Sequence, residues 1–215
     1  MKYLVKPPPF IKLLTQKWLT WDMPAEGQKI YLTFDDGPVP EVTPKVLSIL
    51  SHYDAKATFF CVGDNVQKYP QLFTSIKDAG HAVGNHTFNH IQAWKTPAGD
   101  YLSNVDACWQ LFNSRLFRPP HGQLTPWLVH QLSQHFKIIL WSVLTGDFDQ
   151  RLSPEKCADN ALRHTKPGSV VVFHDSVKAS KNMLHALPVF LEHFTSCGSE
   201  FVAMDEAGPV AGISL

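Results

Sequence analysis

The sequence predicts an α/β protein, a distorted (β/α) barrel with about seven parallel strands and a single domain. Three observations predict it. Short apolar strands alternate with longer helical segments from Lys29 onward. The strands are nearly continuous in apolar residues, as strands covered on both faces are. Ionisable residues collect just after the strands, the end at which such barrels carry their chemistry. An open doubly wound sheet is the competing architecture.

Residues 1–25 read as an N-terminal amphipathic extension packed on the main domain of residues 26–215. Within it, Pro9–Trp21 places Phe10, Ile11, Leu14, Trp18 and Trp21 at near-helical spacing, which suggests a short helix packed on the outside. The other reading of this stretch is a basic amphipathic surface that touches a membrane, with Lys12 and Lys17 on its wet side.

The expected strands are Lys29–Phe34, Ala57–Val62, Ala82–Asn85, Leu116–Arg118, Ile138–Val143, Ser169–Phe173 and Glu200–Ala203. The expected helices are Val42–His52, Asn65–Ala79, Pro97–Phe112, Pro126–His135, Pro154–Thr165 and Lys181–Ser196. Their ends carry local signals. Asp64 is placed to cap the second helix, and Thr125-Pro126 and Ser153-Pro154 each pair a capping hydroxyl with a first-turn proline. Gly80 stands where a helix ends in the left-handed conformation. No internal repeat or linker interrupts the chain.

With 215 residues, 44% hydrophobic and 18% charged, the chain is long enough to bury a sizeable core and too apolar to be disordered. Lys plus Arg and Asp plus Glu each number 19. That balance gives no electrostatic reason to expect nucleic acid as a partner. Cys61, Cys108, Cys157 and Cys197 form no C-x-x-C pair and read as reduced thiols. The N-terminus lacks the apolar stretch of a secretory signal, and no run approaches the length of a transmembrane segment. The expected localisation is therefore cytoplasmic. Nothing in the sequence bears on oligomeric state.

The polar clusters carry the chemistry. After the first strand comes Asp35-Asp36-Gly37-Pro38, after the third His86-Thr87-Phe88-Asn89-His90, and after the fourth Arg118-Pro119-Pro120-His121-Gly122. Asp147 follows the fifth strand, and His174-Asp175 the sixth. Four positions apart, His86 and His90 would face the same way on one helical turn. Two imidazoles and a carboxylate make a three-ligand site with positions left for water and substrate. Of two adjacent carboxylates leaving a strand, one can ligate a metal while its neighbour stays free as a base.

Thr33–Pro38, His86–His90, Arg118–Gly122 and His174 resemble, in order and spacing, the motifs of the polysaccharide deacetylase family, the carbohydrate esterase group that holds chitin and peptidoglycan N-acetylglucosamine deacetylases. The resemblance runs from about Lys29 to the end. It implies hydrolysis of acetyl groups, most simply the N-acetyl groups of N-acetylglucosamine units in a polysaccharide or oligosaccharide. It also implies one divalent ion, Zn2+ first and Co2+ or Ni2+ as substitutes, held by Asp36, His86 and His90. Asp35 would be the general base, Arg118 would orient it, His174 would be the general acid, and the backbone near His121 would help bind the oxyanion.

Two departures from the family pattern stand out. Where an Asp-x-x-Asp-Trp motif is common, this chain has Leu144 for the first Asp and Phe148 for the Trp; His121 replaces a usual Tyr. Leu144 cannot accept a hydrogen bond from Arg118. The expectation is therefore an Asp35–Arg118–Asp147 chain, with Asp149 as the fallback partner and Leu144 packing the barrel wall. Trp94 and Trp127, near the expected site loops, favour sugar stacking. The alternatives are a metal-dependent amidase for a small non-sugar amide, a barrel that binds glycan without catalysis, and a two-His-one-carboxylate iron oxygenase; the last gives no task to Asp35 or His174.

Overall fold

Strands and helices alternate as the sequence implies. The computed structural model describes residues 4–205. A short helix α1 (Pro9–Thr15) and a two-residue strand β1 (Leu19–Thr20) precede β2 (Lys29–Asp35), α2 (Thr43–His52), β3 (Ala57–Cys61), α3 (Gly63–Lys68), α4 (Pro70–Asp78) and β4 (Ala82–Asn85). Then follow α5 (Ala98–Phe112), β5 (Leu116–Phe117), α6 (Pro126–Leu132), β6 (Lys137–Ile139), β7 (Val143–Leu144), α7 (Pro154–His164), β8 (Val170–His174), α8 (Ser180–Ser196) and β9 (Glu200–Phe201).

All ladders between these strands are parallel, in the order β1-β6-β5-β4-β3-β2-β8-β7, and β9 joins the start of β2. Among the described residues no ladder joins β1 to β7, so the curled sheet is a distorted (β/α) barrel left open between those two strands. The competing doubly wound sheet is thereby set aside. Ile30, Leu32 and Phe34 of β2 pack with Phe59, Phe173, Leu187 and Phe190 in the main core under the helices. The alternate residues Thr33 and Asp35 lie on the other face. A separate cluster of Phe60, Leu116, Ile139, Val170 and Met204 fills part of that face.

Local chemistry set most boundaries. The hydroxyls of Thr125 and Ser153 accept from the backbone N–H groups of Leu128 and Lys156, and Gly80 has φ 78°. The expected helix Asn65–Ala79 is two helices, α3 and α4, broken at Pro70. Proline has no N–H to continue the ladder, and its ring clashes with the preceding turn. Asp64 does not cap; it sits in the first turn of α3 and pairs with Lys68 at 2.5 Å.

The largest departure is the apolar run Ile138–Leu144, expected as one strand. It leaves the sheet after Ile139 and re-enters at Val143 beside β8, at the far end of the path. At the N-terminus, Leu19 and Thr20 belong to the barrel wall through their pairing with Ile138 and Ile139, and α1 contributes no buried residue. Among the described residues, no helix is long and apolar enough to cross a membrane, and the four cysteines are free.

Candidate active site

The segment Asp35–Gly37 leaves β2 with its backbone held on every side. Asp35 carbonyl accepts from Asp175 N–H (3.0 Å), Asp36 carbonyl from Asn65 Nδ2 (2.8 Å), and Gly37 carbonyl from Val62 N–H (3.0 Å). Gly37 N–H donates to Asp175 Oδ1 (3.0 Å), and Thr43 Oγ1 donates to Asp175 Oδ2 (2.6 Å). A Cβ on Gly37 would come within 2.0 Å of that carboxylate, so glycine is required here by close approach. This clamp holds Asp36 at φ 81°, a conformation that L residues adopt only when their surroundings impose it. Sequence reasoning noted Asp175 after the sixth strand but gave it no role; the carboxylate beside His174 was the available signal. Burial raises the Asp175 pKa to about 8, opposed by the Thr43 and Gly37 hydrogen bonds.

His86 and His90 do not sit on a helical turn. The loop that follows β4 turns through Thr87 (φ 63°) and His90 (φ 54°) instead. Side chains and helix α3 replace the missing helical hydrogen bonds. Asn85 Oδ1 accepts from Thr87 N–H, and Asn104 Oδ1 accepts from both Phe88 and Asn89 N–H. The carbonyls of Thr87 and Phe88 accept from Gly63 and Asp64 N–H at the start of α3. Of six non-glycine residues with positive φ among the described residues, four are Asp36, Thr87, His90 and His121. Strain is thus concentrated at the candidate site.

This geometry brings Asp36, His86 and His90 together, each offering a ligand atom within 4.8 Å of the others. Asp36 Oδ1 lies 3.2 Å from His90 Nε2 and 3.8 Å from His86 Nε2. His86 Nδ1 meets the Arg118 carbonyl at 2.7 Å, so Nδ1 carries the proton and Nε2 turns its lone pair to the cluster. Burial lowers the His86 pKa to about 4, against the raising fields of Asp35 and Asp36. Burial raises the Asp36 pKa, but the His90 hydrogen bond and the His174, His86 and His90 charges outweigh it and hold the carboxyl well below its usual range. A neutral imidazole beside an ionised carboxylate is the donor set a divalent cation needs. These residues fit such an ion.

Arg118 backs the other carboxylate. Its Nη1 donates to Asp35 Oδ1 at 2.6 Å and to Thr33 Oγ1 at 2.8 Å. Two further donors take main-chain carbonyls, Nε that of Ile139 (3.2 Å) and Nη2 that of Leu140 (3.1 Å). The guanidinium also lies 4.1 Å from the centre of the Phe60 ring. The break between β6 and β7 therefore has a use, since the chain leaving the sheet there supplies the acceptors. One residue serves both halves of the site: its carbonyl fixes His86, its side chain fixes Asp35.

The expected contact of Arg118 with Asp147 is absent, and this half of the predicted chain is corrected. Asp147 instead binds His174 twice, accepting from its backbone N–H at 2.7 Å and meeting Nδ1 at 2.8 Å. Asp149, the fallback, pairs with Arg151. The reason is directional: Asp147 lies past the end of β7 next to β8, whose last residue is His174, whereas Arg118 finds acceptors on the β6 side. Burial lowers the His174 pKa, but the Asp147 charge and hydrogen bond, with Asp36 and Asp35, outweigh it and raise it to about 10. Phe148 sets its ring edge-on to His174, 5.1 Å between centres. Leu144 is buried in β7, its N–H donating to the Val5 carbonyl.

His121, at φ 61°, places its ring 4.9 Å from that of His90 and its Nε2 3.4 Å from Gln92 Nε2. Burial is the main cause lowering its pKa.

An open-sided parallel (β/α) barrel defines the class of protein. At its strand ends it carries a carboxylate–imidazole cluster flanked by an Arg-backed carboxylate and an Asp-backed histidine, the equipment of a hydrolase. The polysaccharide deacetylase family model matches residues 22–135, just over half of the chain, and the chain belongs to that family. It is 32% identical over 197 residues to a peptidoglycan-N-acetylglucosamine deacetylase of Bacillus cereus, covering 88% of this chain and 92% of that protein. To a chitooligosaccharide deacetylase of Azorhizobium caulinodans it is 34% identical over 154 residues, covering 68% and 73%. Among solved structures, the Bc1960 peptidoglycan N-acetylglucosamine deacetylase superposes with a TM-score of 0.84 at 29% identity, over 92% of this chain and 95% of that one.

Proposed function

We propose that the protein is a divalent-metal-dependent deacetylase that releases acetate from the N-acetylglucosamine units of a glycan. The observation that carries this reading is the convergence of Asp36, His86 and His90 beside two separately backed groups, Asp35 and His174. Asp36, His86 and His90 would hold the ion, which when bound supplies Lewis acidity toward the acetyl carbonyl and toward water.

The chain's own residues do the rest. Asp35, held by Arg118, takes one proton from the water whose oxygen bonds to the acetyl carbon. His174, protonated and fixed through Nδ1 by Asp147, delivers a proton from Nε2 to the departing amine nitrogen as the C–N bond breaks. The products are acetate and the free amino sugar. Trp94 is exposed four residues past His90, and its indole N–H donates to the Leu124 carbonyl beside the His121 loop. An aromatic face there suits a sugar ring and favours a glycan over a small amide.

The test is acetate release from chitooligosaccharides, peptidoglycan and acetylated xylan by protein stripped of metal and reloaded in turn with zinc, cobalt and nickel. The reading expects turnover on N-acetylglucosamine polymers that depends on the added ion. Metal analysis separates the ligand assignment from activity: His90→Ala should lose most of the bound ion, and wild-type stoichiometry in that variant would reject the triad.

A further inference from the structure

Helix α1 is built inside out. Phe10, Leu13 and Leu14 recur at i, i+3 and i+4, the spacing of one helical stripe. A helix on the outside of a domain normally buries such a stripe. Here the three residues are 63%, 67% and 72% exposed, and Leu4 at 60% and Trp18 at 43% widen the apolar surface.

The helix is nevertheless tied down. The Val5 carbonyl accepts from Leu144 N–H at 2.8 Å, Trp21 Nε1 donates to Thr15 Oγ1 at 2.8 Å, and Lys12 Nζ pairs with Asp22 at 2.7 Å. Just beyond it, β1 is laddered to β6. Lys12, expected on the wet side, is turned toward the body, and these tethers leave the Phe10–Leu13–Leu14 stripe facing out.

Charge says what the stripe meets. The chain as a whole is neutral, yet its first 21 residues contain Lys2, Lys6, Lys12 and Lys17 and no Asp or Glu. Lys6 and Lys17 are exposed, and the Lys17 ammonium lies 5.4 Å from the Trp18 ring centre. A second copy docking through the same surface would set these cations against one another. An apolar stripe, an indole and the exposed Lys6 and Lys17 match the layers of an anionic bilayer: acyl chains, headgroup boundary and phosphate plane.

We infer that residues 4–18 form a docking surface for anionic lipid, holding the barrel against a membrane without crossing it. The inference stands independently of the proposed activity.

The experiment is flotation of the full chain with vesicles of phosphatidylcholine alone and with phosphatidylglycerol mixed in. The protein should float with the anionic vesicles, stay down with the neutral ones and be released by salt. Phe10→Ser/Leu13→Ser/Leu14→Ser should abolish flotation while keeping the wild-type melting temperature, because the three side chains are already in water. Lys6→Gln/Lys17→Gln should weaken partition roughly thirty-fold. Failure of the wild type to float with anionic vesicles, or flotation of the triple-serine variant as well, would overturn the inference. So would analytical ultracentrifugation showing a dimer that the triple-serine variant dissolves, because a second copy would then be what covers the stripe.

Discussion

Arg118–Asp35 and His174–Asp147 are both cation–carboxylate pairs at the mouth of one barrel, joined at 2.6 and 2.8 Å, and they are wired in opposite senses. In the first pair the cation is the fully buried member; it also donates to Thr33, Ile139 and Leu140, and the carboxylate lies next to the ligand cluster. In the second the carboxylate is the fully buried member and the imidazole is the one partly open to solvent. A guanidinium cannot be deprotonated in a protein, so it suits a neighbour that must stay anionic and accept a proton. A buried carboxylate suits a neighbour that must carry a proton until it is called for. The proposed base and acid are thus separated by which partner is turned inward.

The strongest break in this comparison is Asp35→Asn, which preserves shape and removes the proposed base. Turnover should fall roughly 10²–10⁴-fold with metal content unchanged, since a positioned general base contributes about that much. Normal turnover by a metal-loaded Asp35→Asn protein would refute the assignment.

Asp147→Asn sharpens the other pair and should cost less, about ten- to a hundred-fold at neutral pH. Its signature is the pH profile. For the proposed acid the useful form of His174 is the imidazolium, so kcat/KM should be maintained below its pKa and lost as pH rises through it. Asp147 is a main cause of the upward shift to about 10, and burial pulls the other way. Without Asp147 the alkaline limb must move to lower pH. A dication held by Asp36 would offset part of that carboxylate's field and lower the wild-type limb too, so the comparison is made between variants loaded with the same metal. A limb that does not move would show the pair to be inert.

Asp175→Asn tests the clamp rather than either pair. Its amide accepts on one side and donates on the other, so the contacts to Gly37 N–H and the Thr43 hydroxyl must rearrange and the hold on Asp36 loosens. Metal affinity should weaken roughly ten-fold, the low end for residues that orient ligands, as read by a chelator competition titration. Affinity equal to wild type would mean that Asp36 is positioned by other means.

The smallest effect on turnover is expected from Leu144→Asp. It restores the family's usual carboxylate, but four of the five Arg118 N–H groups already have acceptors, Asp35 among them, so activity should not rise. Thermal unfolding should show a loss of about 1–3 kcal/mol from burying a poorly paired polar group. A gain in turnover would show that the main-chain anchor is an inferior substitute.

How much of this was legible in sequence follows the range of the interactions. Alternating apolar strands, Thr125 and Ser153 caps and the Gly80 terminus depend on neighbours a few residues away, and the chain spells them out. The break at Pro70 was spelled out too, but the apolar period running through it from Asn65 masked the proline. The run Ile138–Leu144 was opaque because both halves have strand composition; only the distant partners, β5 and β8, decide that they part. The site residues could be picked out by type and spacing. Their wiring could not, since the choice of Asp147 between Arg118 and His174 depends on which strand lies beside β7. The helical reading of His86 and His90 had the right separation and the wrong backbone, because Asn104, fourteen residues beyond His90, supplies the acceptor that makes the tighter loop possible.

Main-chain carbonyls hold the guanidinium of Arg118, and this has a bearing on how the motif can drift. A side-chain acceptor can be lost in one codon change; a peptide oxygen is present whatever residue occupies the position. With Ile139 and Leu140 serving as acceptors through atoms common to all amino acids, the support of Asp35 has become independent of the letters at 139, 140 and 144. Those positions are free to answer to packing alone, and a motif search keyed to the missing aspartate would overlook an intact support.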